Sequence, residues 1–296
     1  MPKIIVIEGN ISAGKTTLLK TNIRKIFPEA AIFIEPNSEA NPWLSLFYED
    51  PKKYIVKLQH WFMAHRLANY AKVLNEYKDH KIVFMDRCIY SDWVFVHNAY
   101  NTSIMTEESY DRFLKSREDV LKDMALPDLI LYLDVKPEIC HDRVINLRQE
   151  ACESSIPLEY LQGLQDCYVE YLDQMKKNGV TIKSIDWNSF GSQFNNTVGT
   201  ETRTNTMDTP SCEIQHELDA MLLEICNPIL NDNVKLDTQK KESQGYKSLS
   251  ENAITSILAA EIKSKLSKNE GCVDSDKEFV TDVKCFLGTL ALEFIS

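Results

Sequence analysis

The sequence predicts an α/β fold, a five-stranded parallel sheet flanked by helices, followed by a C-terminal all-helical extension. Three observations carry this. Five short runs are apolar on both faces, as strands sandwiched between helix layers must be. Longer segments with 3.6-residue apolar spacing alternate with those runs, the pattern of a doubly wound fold. Finally, residues 192–211 are poor in apolar side chains and rich in Thr and Asn, the composition of a linker. The chain is therefore divided into a body over 1–191, a linker over 192–211 and a helical extension over 212–296.

The first run, Lys3–Ile7, reads as a strand and leads into Gly9-Asn10-Ile11-Ser12-Ala13-Gly14-Lys15-Thr16-Thr17. This fits G-x-x-x-x-G-K-[ST], placed between a strand and a helix as the mechanism of a phosphate-binding loop requires. The glycines let backbone amides close around phosphate oxygens, and the following helix N-terminus adds positive potential. Lys15 reaches the terminal phosphates and the Thr16 hydroxyl can ligate Mg²⁺. The loop thus predicts a nucleoside triphosphate without naming what receives the phosphate.

A helix over Lys15–Ile26 follows, then a strand at Ala31–Ile34 that ends in Glu35-Pro36. Next come a helix over Pro51–Glu76 and a strand over Lys81–Met85 that ends in Asp86-Arg87. Helical spacing returns over Thr106–Met124, Pro137–Asn146 and Pro157–Asn178, with strands at Leu129–Leu133 and Val180–Ile185. Both acidic pairs should emerge at the carboxyl edge of the sheet beside the loop, where ligands bind in open α/β folds. A carboxylate there can take a proton from a hydroxyl, and an arginine can stabilise a transferring phosphoryl group. Taken alone, Glu35 could equally be a loop charge and Asp86-Arg87 a surface ion pair.

Beyond the linker, Ile214, Leu218, Leu222, Ile225 and Ile229 form one apolar helical stripe. Ile254, Leu258, Ile262 and Leu266 form a second, and Phe279, Val283, Phe286, Leu290 and Phe294 a third, with Ser250 and Ser275 as N-caps. These stripes form a small three-helix module or pack on the body, and they also suit self-association or a protein partner.

Composition excludes several function classes. The 296 residues include 33 Lys+Arg and 44 Asp+Glu, a net charge of −11. A uniformly acidic surface repels duplex nucleic acid and anionic membranes, so neither is expected as a partner. The acidity is uneven: 192–296 holds 10 basic and 17 acidic residues (−7), whereas 1–191 holds 23 and 27 (−4). No apolar run approaches the roughly 18 residues of a membrane span, and the N-terminal residues lack the sections of a secretory signal. Eight cysteines include no Cys-x-x-Cys pair, so they read as reduced packing thiols. A cytoplasmic location is expected.

Six motifs in order then resemble the deoxyribonucleoside kinases, the group containing deoxycytidine, deoxyguanosine, deoxyadenosine and mitochondrial thymidine kinases and the broad-specificity insect enzyme. They are Ile7 to Thr17, Glu35-Pro36, Phe47-Tyr48-Glu49-Asp50-Pro51, Gln59 with Arg66, Asp86-Arg87-x-x-Tyr90-Ser91-Asp92, and Ile156-Pro157-Leu158-Glu159-Tyr160-Leu161. The resemblance covers about residues 3–190. It implies the P-loop kinase fold, transfer of the ATP γ-phosphate to a deoxyribonucleoside 5′-hydroxyl with Mg²⁺, and a homodimer.

Residue by residue, the resemblance implies Glu35 as general base and Arg87 as the arginine holding that base and the reacting oxygen. Asp86 stands with Thr16 beside the metal, and Tyr48 and Glu153 bind the sugar 3′-hydroxyl. Gln59 looks like the amide that reads the nucleobase edge. Arg66 and Asp92 resemble the charged pair of deoxycytidine and deoxypurine kinases, which thymidine-directed relatives lack. Trp61, Phe62 and Phe95 are aromatic candidates for stacking on the base. Arg143 and Arg148 match lid arginines that close over phosphates, although their spacing is one longer than usual and Glu150 stands where many relatives have another arginine. A lid that holds the phosphates less tightly is expected. Asp186 to Phe190 resembles the loop that covers the donor adenine. The competing readings are a thymidine-directed or nucleotide kinase of the same fold, and a non-catalytic structural relative. Intact Lys15, Thr16, Glu35 and Arg87 argue against the last.

Overall fold

The structure, a computed structural model, describes residues 1–36, 40–122, 124–148, 152–189 and 212–231. Five parallel strands form one sheet in the order β2-β3-β1-β4-β5: β1 (Lys3–Gly9), β2 (Ala31–Phe33), β3 (Ile82–Asp86), β4 (Leu129–Asp134) and β5 (Thr181–Asp186). Ile5, Val6 and Ile7 in the central strand have no exposed surface, which explains their unbroken apolar run.

Around the sheet lie α1 (Lys15–Leu18), α2 (Arg24–Ile26), α3 (Leu44–Glu49), α4 (Pro51–Asn75), α5 (Asp92–Asn101), α6 (Glu107–Leu121), α7 (Pro137–Arg143) and α8 (Leu158–Lys177). A π-helical turn at Leu19–Ile23 joins α1 to α2, and another at Val144–Arg148 continues α7. Helix starts follow local chemistry. Asp50 accepts the Lys53 amide at 3.3 Å ahead of Pro51, and Thr106 accepts the Ser109 amide at 3.3 Å. Helix α8 buries Leu161, Leu164, Tyr168, Tyr171 and Met175, spaced as one helical face.

Two expectations change. The run Val180–Ile185 reads as a buried strand, yet within β5 only Ile185 is buried, because this edge strand pairs with β4 alone. No helix is expected between Arg87 and Thr106, yet α5 is there. Its Val94, Val96, Asn98 and Ala99 are all buried, so it shows no single apolar stripe, and its β-branched and aromatic residues resemble a strand. The six residues of α3 are too few to show a period.

The strand ends assemble the site. Ile7 lies beside Asp86, Gly9 beside Leu133, and Phe33 beside Met85. The phosphate loop, the residues after β2 and the residues after β3 therefore open on one crevice, where the chain switches from one side of β1 to the other. Helix α9 (Cys212–Asn231) buries Leu218, Leu222 and Cys226. Its Asp219 accepts hydrogen bonds from Asn22 at 3.1 Å and Lys25 at 2.6 Å on the helical segment that follows the loop. The expected linker, Phe190, Glu150, the two later helical stripes and the caps Ser250 and Ser275 lie outside the described residues. Among the described residues, no helix is long and apolar enough to cross a membrane.

Candidate active site

The loop turns through three left-handed residues, Gly9 (φ 149°), Ser12 (φ 58°) and Gly14 (φ 101°). The Lys15 ammonium folds into it, donating to the Gly9 carbonyl at 3.2 Å and the Asn10 carbonyl at 2.8 Å. Asn10 anchors the loop to α8 by donating to the Leu161 carbonyl at 2.9 Å, and its side-chain oxygen accepts the Ile11 amide at 2.8 Å. Ala13 is fully buried, and its amide reaches the Asn10 carbonyl at 3.3 Å. Thr17 is exposed, and its carbonyl accepts the Thr21 hydroxyl at 2.7 Å. A Cβ on Gly9 would stand 2.9 Å from the Leu133 carbonyl oxygen, a backbone atom that cannot yield. Gly9→Ala is expected to lose about 2–4 kcal/mol of stability in urea denaturation. Wild-type stability in that variant would contradict this loop geometry.

Burial lowers the Lys15 pKa to about 8; Arg87 adds to the shift, while Asp86, Glu35 and Glu8 oppose it. The sign follows directly: Lys15 loses its charge as pH rises through about 8, well before an exposed lysine would. The kcat/KM of the free enzyme is therefore expected to fall above that pH. A profile flat to pH about 10 would contradict it.

Beside the loop, Thr16 donates to Asp86 Oδ2 at 2.6 Å, while the buried Asp86 Oδ1 has no hydrogen-bond partner. Burial pushes the Asp86 carboxyl up, with Lys15 and the Thr16 hydrogen bond pulling it back. A hydroxyl, one carboxylate and a spare buried oxygen suit Mg²⁺, which is held by one or two carboxylates together with substrate phosphates. Among the described residues no group of three or more His, Cys, Asp or Glu is arranged to hold a metal.

Glu35 lies across the crevice between two arginines. Arg66 Nη2 donates to Oε1, and Arg87 Nε stands 3.5 Å from Oε2. Burial alone would raise the Glu35 pKa, but Arg66, Arg87 and Lys15 outweigh it and hold the carboxyl below its ordinary value. Arg66 also donates through Nη1 to Asp92, which is fully buried, and its guanidinium lies 5.0 Å from the Phe62 ring centroid. Buried Gln59 shares α4 with Arg66. Three buried polar atoms here, Gln59 Oε1, Arg66 Nε and Asp92 Oδ2, have no hydrogen-bond partner.

Tyr48 and Glu153 come close enough that Glu153, after burial, is the next cause raising the Tyr48 phenol pKa. Arg148 pairs with Glu153 at 2.9 Å. Arg143 is buried, and its guanidinium donates to the carbonyls of Ala13 (3.2 Å), Trp187 (3.0 Å) and Asn188 (3.2 Å). In this structure Arg143 thus braces the loop against the end of β5, and Arg148 holds a carboxylate. Phe95 lies 4.8 Å from the Arg87 guanidinium, and Trp61 stacks on His65 at 5.5 Å.

Sequence reasoning gave no site role to Glu8 or Tyr168 and did not place Trp187 against the phosphate loop. Glu8, the last side chain before the loop, is fully buried, and Tyr168 donates to it at 3.1 Å. Trp187 is buried against the loop, its Nε1 3.0 Å from where a Gly14 Cβ would stand. A charged residue between the apolar run Ile4–Ile7 and the glycine that opens the loop is the one signal that could have singled out Glu8. Nothing local marks Tyr168.

Comparison with known proteins follows the same outline. The sequence profile described as "Deoxynucleoside kinase" matches residues 5–206. A deoxyguanosine kinase of Dictyostelium discoideum is 39% identical over 190 residues, 64% of this chain and 65% of that protein, so the match spans just under two thirds of that relative. A deoxyadenosine kinase of the same organism is 33% identical over 186 residues, 63% of this chain and 73% of its own length. Subunit 10 of the mitochondrial NADH dehydrogenase [ubiquinone] 1 alpha subcomplex from Bos taurus is 27% identical over 205 residues, 62% of this chain and 60% of that protein. The solved deoxyadenosine kinase of M. mycoides with bound dATP shares the fold, with a TM-score of 0.57 at 24% identity over 75% of this chain and 99% of that one.

Proposed function

The chain belongs to the deoxynucleoside kinase family, and from that premise we propose that it transfers the γ-phosphoryl group of ATP to the 5′-hydroxyl of a deoxyribonucleoside. The observation that carries this is Glu35, a carboxylate kept ionised by two arginines beside a loop built for a triphosphate. The 5′-hydroxyl donates its hydrogen bond to Glu35 and its oxygen attacks the γ-phosphorus. The bond to the β-phosphate oxygen breaks, ADP leaves, and the proton passes to Glu35. A loose transition state asks little of the base until late, so a weakly basic but ionised carboxylate suits orientation and final proton capture. Lys15 and Arg87 supply positive charge to the phosphoryl oxygens, Arg148 joins them on leaving its pair with Glu153, and Arg143 keeps the loop and the end of β5 in register. Thr16 and Asp86 would hold Mg²⁺, which would supply positive charge against the phosphates.

Deoxypurines and deoxycytidine are the favoured acceptors. Gln59, Arg66 and Asp92 offer an acceptor, a donor and an acceptor in one buried patch. An exocyclic amine of adenine, cytosine or guanine can donate to Asp92, and guanine O6 can accept from Arg66, whereas thymine carries no exocyclic amine to offer the carboxylate. The names of the two Dictyostelium discoideum relatives support a purine. Measuring kcat/KM for the four deoxyribonucleosides tests this. Thymidine is expected to be lowest by at least about tenfold; thymidine as best substrate would overturn the preference. The same reading includes a homodimer, for which sedimentation equilibrium should give about twice the 34.1 kDa chain mass.

The likeness to the NADH dehydrogenase subunit supports a second reading, a non-catalytic subunit of a larger assembly. Detectable transfer to any deoxyribonucleoside excludes it.

A further inference from the structure

Glu8 is a buried acid that the reaction outlined above does not use. It ends the central strand, has no exposed surface, and faces the Arg87 guanidinium with Oε2 3.7 Å from Nη1. Tyr168, also fully buried, closes a triangle: its hydroxyl donates to Glu8 Oε2 at 3.1 Å and accepts from Arg87 Nη1. Arg87 itself sits in the left-handed region at φ 63°, a conformation a non-glycine residue keeps only where its surroundings fix it. Its amide bonds the Ile7 carbonyl at 3.0 Å, and its guanidinium is flanked by the Phe95 and Tyr168 rings at 4.8 and 5.8 Å. One end of the guanidinium is thus held by Glu8 and Tyr168, and the other presents Nε to Glu35.

We propose that Glu8, acting with Tyr168, is a positioning residue for phosphoryl transfer: it fixes the Arg87 guanidinium so that Nε faces Glu35 and the reacting oxygen. The inference rests on the kinase reading. The other charged and titratable groups around Glu8 are Lys15, Arg66, Ser91, Cys88, Tyr132 and Tyr171. Among the described residues, Arg87 is the cation that bonds both Glu8's partner Tyr168 and Glu35. A buried acid could instead serve the fold alone, so the test must separate position from stability.

Glu8→Gln keeps the side chain's length and its ability to accept from Tyr168 while removing the charge opposite Arg87. The expected result in the full-length enzyme is a loss of about tenfold in kcat, with KM for nucleoside and ATP within about twofold. In an Arg87→Lys background the same substitution should cost less than about twofold, because the group it positions is gone. An unchanged kcat, or an equal loss in both backgrounds, overturns the proposal. If Glu8→Gln fails to fold, Tyr168→Phe removes only the bridging hydroxyl. It should lower kcat about threefold, again only when Arg87 is present; no loss, or an equal loss without Arg87, overturns the proposal. Transfer by the wild type that is insensitive to Glu8 sinks this inference alone, whereas no transfer by the wild type sinks the kinase reading with it.

Discussion

Glu35→Gln is expected to lower kcat about a thousandfold while leaving KM for the nucleoside within about threefold, the pattern of a lost general base rather than a lost binding group. Glutamine preserves the side chain's length but has one accepting oxygen, so it meets only one of the Arg66 and Arg87 donors, and it cannot take the 5′-hydroxyl proton. Steady-state kinetics on both proteins checks the split. The pH dependence follows from the cluster. Burial would raise the Glu35 pKa, but Arg66, Arg87 and Lys15 hold it below its ordinary value of 4.5. The carboxylate is therefore ionised throughout the neutral range, and titration of Glu35 should not limit kcat/KM there. Because the folded pKa is depressed, the stability from these ion pairs is fully present above the unfolded value. It is lost as pH falls through the folded one.

Asp92→Ala is expected to cost about 3–5 kcal/mol of stability in urea denaturation, because it breaks a buried pair from one side. Asp92 has no exposed surface and the Arg66 side chain only 5%, so the deletion leaves a buried guanidinium that must rely on Glu35. In the proposed reaction the pair would join base recognition to catalysis, since Arg66 bonds both Asp92 and Glu35. Freed from Asp92, Arg66 should turn further onto Glu35, so the surviving activity should show a lower kcat as well as a higher nucleoside KM. A variant as stable as the wild type, with unchanged kinetics, would contradict the central place given to Arg66.

Much of this was legible in the sequence because the informative residues sit at strand ends. Glu35, Asp86 and Arg87 each follow an apolar run, and register in a parallel sheet brings them to the edge where the loop carrying Lys15 also lies. The phosphate loop was legible for a related reason, since its glycines are dictated by backbone geometry that only a few residues adopt. Contacts between distant segments were not legible. Glu8 stands in the Ile7–Thr17 motif without a role of its own, and its partner Tyr168 lies 160 residues away. Arg143 read as a lid arginine, and only the fold shows its three bonds to backbone carbonyls. Helix α5 escaped notice because burial on several sides erases the apolar stripe that marks a surface helix.

The account turns on one event, movement of a phosphoryl group from ATP to a deoxyribonucleoside with Glu35 as the base. The most direct measurement follows ATP labelled at its γ-phosphate, incubated with Mg²⁺ and each deoxyribonucleoside, with wild type and Glu35→Gln side by side. The expected result is label in a deoxyribonucleoside 5′-monophosphate with the wild type and about a thousandfold less with Glu35→Gln. Label that stays in ATP with all four acceptors, or transfer equally fast in both proteins, would contradict the account.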